Sequence, residues 1–182
     1  MTSFPIHTIA SAPDQSKPVL DQLQQTFGLI PNIAGAMAHS PVLINAFIGL
    51  FRQVHSGTFT EAEIQTLLLT NAVTNACSWA VAFHSMLALK EGLTPQDVEA
   101  IRARRLPTDP RHAALSTLAR KLIEARGHVS EQEVTAFTAA GFRREQALEV
   151  LAAVAASTIT NYAGTMAEPP LETFLQQHAW AA

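Results

Sequence analysis

The chain's single cysteine, Cys77, stands seven residues before His84, and these two side chains frame the chemistry the sequence can perform. At about 100° and 1.5 Å per residue, seven helical residues put both on nearly the same face, about 10.5 Å apart along the axis. A direct thiol–imidazole hydrogen bond does not fit that separation, so either Cys77 precedes the helix or a third group carries the proton. Asn75 is a favourable N-cap residue, which predicts Cys77 in the first helical turn. There the free backbone amides and the helix dipole favour a thiolate. Each residue also has a plainer reading: a lone cysteine as a small buried hydrophobe, and a histidine in an uncharged stretch as a satisfied core residue. Ala80 lies one turn before His84 and is its helical neighbour. Trp79 and Phe83, one turn apart, either wall a pocket beside the site or pack in the core.

These residues sit in the second of two stretches without Asp, Glu, Lys or Arg, Gln22 to Phe51 and Ile64 to Leu89. Each is long enough to cross a bilayer, but prolines, asparagines and histidines interrupt both, so a buried core is expected instead of a membrane helix. Polar groups inside such a core need partners. No strand-like alternation is present, whereas helical spacing is common. Helices are predicted over Ser16–Phe27, up to His39, over Val42–His55, and from a Thr60/Glu63 capping box to Thr74 or Asn75. Further ones are expected from about Cys77 to Gly92, from Thr94 to before Pro107, and over Pro110–Arg126, Ser130–Ala140 and Arg143–Tyr162. A short one follows at Leu171–His178. The fold class is all-α, a single-domain helix bundle over residues 1–182.

Hydrophobic residues make up 48% and charged residues 15% of the chain, against roughly 25% charged in an average soluble domain. That shortage of surface charge favours a homo-oligomer. The net charge of −3 and the dispersed Lys and Arg leave no nucleic-acid footprint. One cysteine excludes an intrachain disulfide, and the N-terminus lacks the basic start and apolar core of a signal peptide, so the cytoplasm is the expected compartment. No H-E-x-x-H, phosphate loop or G-x-S-x-G elbow occurs, so no metal and no cofactor is expected.

The run from Cys77 to His84 resembles the C-x-x-C-x-x-x-H signature of the AhpD-like alkylhydroperoxidases, within the carboxymuconolactone decarboxylase superfamily. The segments FGLIPN, AHSP and FTEAEIQTLLLTNAVTNAC, and the Asn161–Tyr162 pair, extend the resemblance from about Phe27 to Tyr162. It implies an AhpD-like helix bundle with Cys77 at the first cysteine position and His84 at the histidine. Gln65 falls where the family's relay glutamate stands, and Ala80 where its peroxide-attacking cysteine stands. With Ala80 there, a disulfide cycle within the chain is impossible. What the resemblance leaves is a one-cysteine peroxidase: Cys77 oxidised to a sulfenic acid and resolved by an external thiol, with His84 as base and Gln65 in support. Trp79, Ala80 and Phe83 would contact the substrate, a peroxide or a small organic acid. The alternatives are a non-redox member that binds a ligand or nothing, and acid–base chemistry of the decarboxylase type at His84. For the latter, Arg52 is the nearest cation to hold a carboxylate.

Overall fold

The computed structural model describes residues 4–181; residues 1–3 and 182 of the expected domain lie outside them. The described residues form one all-helical domain of nine α-helices. These are α1 (Lys17–Phe27), α2 (Asn32–Met37), α3 (Pro41–His55), α4 (Glu61–Thr74), α5 (Ser78–Lys90), α6 (Pro95–Arg102), α7 (Pro110–Glu124), α8 (Glu131–Ala139) and α9 (Gln146–Ala167). Among them, no helix is long and apolar enough to cross a membrane.

The centre of the fold is α4. Thr60 and Glu63 close the capping box at its start: the Glu63 amide donates to Thr60 Oγ1 (3.2 Å) and the Thr60 amide to Glu63 Oε2 (2.9 Å). From Glu63 to Val73 every residue is then buried, because α5, α7 and α9 pack around it. Its apolar side chains serve two cores. Leu69, Ala72 and Val73 join the one shared with α1, α2, α3 and α5. Ile64, Leu67 and Leu68 join the one shared with α7, α8 and α9. A helix with no solvent face must satisfy its polar side chains internally. Thr70 Oγ1 donates to Ser116 Oγ (2.9 Å) and Asn71 Nδ2 to the Val154 carbonyl (3.1 Å). Thr66 Oγ1 lies 2.7 Å from His112 Nδ1, so His112 of α7 belongs to this network.

The last long helix runs beyond its predicted end at Tyr162 to Ala167, and it closes on Glu168 with a left-handed backbone (φ 45°). Gly164 therefore lies inside α9. Its role is close approach: a Cβ there would sit 2.7 Å from Cys77 Sγ and 3.1 Å from Ile33 Cδ1. After α9, the predicted helix at Leu171–His178 is a 3-10 segment over Thr173–His178. Arg102 holds it by donating to the carbonyls of His178 (3.0 Å) and Ala179 (2.9 Å).

Gly164→Ala is expected to destabilise the fold by about 1–3 kcal/mol, the usual cost of overpacking, measured by urea unfolding. Cys77→Ala in the same chain should recover part of that loss. Additive effects in this double-mutant cycle would show that the contact is not tight.

Candidate functional site

The turn between α4 and α5 sets the geometry. Asn75 closes α4 instead of opening α5, and its side-chain amide is spent on Asn71 Oδ1 (2.9 Å). Ala76 takes a left-handed backbone (φ 53°). Cys77 itself is the N-cap of α5, with extended backbone (φ −93°, ψ 95°), not a residue of its first turn. The Cys77 amide donates back to the Ala72 carbonyl (3.0 Å), so α5 folds directly onto α4.

This hairpin brings Gln65 and His84 together. Gln65 Oε1 lies 3.0 Å from His84 Nδ1, and both side chains are buried. A carbonyl oxygen only accepts, so Nδ1 carries the ring hydrogen and Nε2 is left as an acceptor. Burial, with the neighbouring His55 as a smaller cause, pushes the His84 pKa down to about 3. His84 is therefore a neutral imidazole near pH 7. Glu63, two residues from Gln65, faces elsewhere and pairs with Arg111 (2.7 Å).

Cys77 is apart from this pair. It is 2% exposed, and its sulfur lies where a side chain at residue 164 would be. Burial pushes the thiol pKa up, against the opposing pull of the Ala80 and Trp79 amides and the Thr165 hydroxyl.

His84 opens onto a cavity of about 310 Å³ between α1, α3, α5 and α9. Phe27, Phe47, Ile48, Phe51, Trp79 and Phe83 supply most of its apolar wall. Trp79 and Phe83 stack at 4.9 Å, and the Trp79 ring is fixed by its N–H donating to Glu172 Oε2 (2.9 Å). Of the residues singled out from sequence, His84, Trp79 and Phe83 line this space, whereas Cys77, Ala80 and Gln65 do not. Gln65 acts on it only through His84.

The polar part of the lining includes Arg52, exposed at the rim, and His55, beside Gln22, Thr26, Ser157 and Thr160. Sequence reading gave His55 no role. Its partner Glu61, 3.0 Å from His55 Nδ1 through both carboxylate oxygens, lies across the loop between α3 and α4, where no helical spacing connects them. Among the described residues no cluster of three or more His, Cys, Asp or Glu is placed to hold a metal ion.

No protein-family model matches the sequence, and no curated protein matches it. Solved structures do. An alkylhydroperoxidase AhpD core, an uncharacterized peroxidase-related protein from Ralstonia eutropha JMP134, superposes with a TM-score of 0.85 at 21% identity, over 96% of this chain and 94% of that one. The chain has the AhpD fold. An uncharacterized peroxidase-related protein from Silicibacter sp. TM1040 shares it with a TM-score of 0.79 at 18% identity, over 95% and 92% of the two chains. So does a debrominase, solved as a Cys-to-Ala variant with 2,3,4-tribromopyrrole, with a TM-score of 0.76 at 18% identity over 98% and 96%. The AhpD fold thus hosts proteins described by different chemistries, and what this chain does depends on its own site.

The depressed His84 pKa has a consequence for stability. Below its ordinary value of 6.5 the unfolded chain binds a proton that the folded chain refuses until about pH 3, so stability is full above 6.5 and falls as pH drops toward 3. One such group contributes at most about 1.4 kcal/mol per pH unit. Urea unfolding between these limits should show a shallower fall for His84→Phe than for the parent; identical slopes would mean that His84 takes up its proton in the folded state.

Proposed function

We propose that the chain binds a small, largely apolar molecule in the His84 cavity, and that His84, not Cys77, is the group that touches it. The observation that carries this reading is that His84 lines the cavity and Cys77 lies against Gly164 instead. A volume of about 310 Å³ falls at the small end of ligand sites, and the aromatic wall suits a flat molecule. The debrominase of the same fold was solved with a small brominated aromatic ring, a ligand of that size class. A base whose pKa is held near 3 is a poor match for proton abstraction near neutral pH, so acid–base turnover at His84 alone is slow. Binding and orientation are what its neutral Nε2 does readily. For a small organic acid the only cation in the lining is Arg52, at the rim. The reading includes self-association through the exposed side of α9, where Leu148, Leu151, Tyr162 and Met166 stand, and residence in the cytoplasm.

One observation favours a second reading. The amides of Trp79 and Ala80 turn toward the Cys77 sulfur at the start of α5, as a thiolate requires, and two structures of the same fold are described as peroxidase-related. In that case Cys77 reduces a peroxide, becomes a sulfenic acid, and is restored by an external thiol reductant.

Two measurements separate these readings. In a thermal-shift and tryptophan-fluorescence screen of flat aromatic fragments, ligands found for the parent should bind His84→Phe at least about tenfold more weakly, the worth of one buried hydrogen bond. They should bind Cys77→Ser unchanged; the opposite pattern, or no ligand at all, ends the first reading. Peroxide consumption with dithiol donors should be equal in the parent and Cys77→Ser, and a rate that depends on Cys77 would establish the second.

A further inference from the structure

The polar groups around the cavity are unevenly divided between donors and acceptors. His84 gives its ring hydrogen to Gln65, which leaves Nε2 as an acceptor. His55 is held in the same tautomer from another direction. Its Nδ1 is 3.0 Å from each oxygen of Glu61, and a carboxylate only accepts, so the hydrogen again sits on Nδ1. The ring is further fixed by Phe51, whose centroid lies 4.4 Å away. His55 Nε2 is buried and has no hydrogen-bond partner among the described residues.

Three of the donors in the lining are spent on the protein itself. Thr26 and Thr160 give their hydroxyl hydrogens to the carbonyls of Gln22 (2.9 Å) and Ser157 (2.9 Å), and Trp79 gives its N–H to Glu172. Arg52 lies at the rim and is exposed. A buried acceptor without a partner is costly, and a ligand's donor relieves it. An anion is disfavoured at His55 Nε2, because Glu61 holds the far side of the same ring.

We infer that the cavity takes a flat apolar molecule bearing a hydroxyl or ring N–H, and that this group donates its hydrogen to His55 Nε2. Glu61 is the positioning residue that fixes the tautomer. The inference rests on the cavity being the ligand site, as proposed above, and needs no reaction at His84.

The compounds para-cresol and para-methylanisole share a ring and an oxygen and differ in the donor. Titrated calorimetrically against the parent chain, para-cresol should bind about tenfold more tightly, as one hydrogen bond to a buried acceptor allows. His55→Phe keeps the bulk of the ring and removes its nitrogens, so the preference should collapse to about one with the ether bound as before. Glu61→Ala, at a half-exposed side chain, should lower the preference and leave ether binding unchanged. Equal binding of both compounds by the parent, or a preference that survives His55→Phe, overturns the assignment to His55. If neither compound binds, the cavity itself is not the ligand site and both readings fall.

Discussion

A helix surrounded on all sides by other helices has no water to satisfy its polar side chains, and α4 is in that position from Glu63 to Val73. Its polar residues are therefore tied to three neighbours: Gln65 to α5, Thr66 and Thr70 to α7, and Asn71 to α9. Leaving any of these groups unpaired costs about 1–3 kcal/mol, which apolar packing alone does not demand. The bonds select one register for three helices against α4, where leucine-on-leucine contacts would tolerate several. The Gln65–His84 pair is one rung of this system, so the site's central imidazole is positioned by the same requirement that orders the bundle.

That origin explains the character of the site. A carboxylate at residue 65 would be a charge buried 3% exposed with only an imidazole beside it, whereas an amide needs no counter-charge there. The buried acidic residue of α4, Glu63, sits at the helix start where Arg111 reaches it. On the other side of α5, α9 continues past the predicted stop and brings Gly164 against the sulfur. One thiol is sealed and one imidazole is open, and the two facts follow from separate helix contacts.

Much of the bundle could be read from the residues themselves, because helix ends are set by local signals. The capping boxes at Thr60 and Ser130 both form, and the helices they open start where expected. The proximity of Gln65 and His84 came from a resemblance across nineteen residues of sequence, and no periodicity would have supplied it. What could not be read depended on contacts between elements. Asn75 looks like an opening cap, yet the same residue type suits a closing position, and only the three-residue turn from Asn75 to Cys77 decides. Gly164 lies past the expected helix end at Tyr162, and only the sulfur beside it shows its role. His55 meets its carboxylate across a loop, outside any helical repeat.

The lack of fixed charge around His84 bears on how salt will act on this protein. Mobile ions screen over about 8 Å at physiological ionic strength, and they do so through solvent. Inside the cavity there is nothing ionic for them to screen; Arg52 and Glu61 stand where solvent reaches them. Ionic strength should therefore alter how quickly a charged molecule is drawn to the rim, and leave the dwell time of a neutral one inside nearly constant.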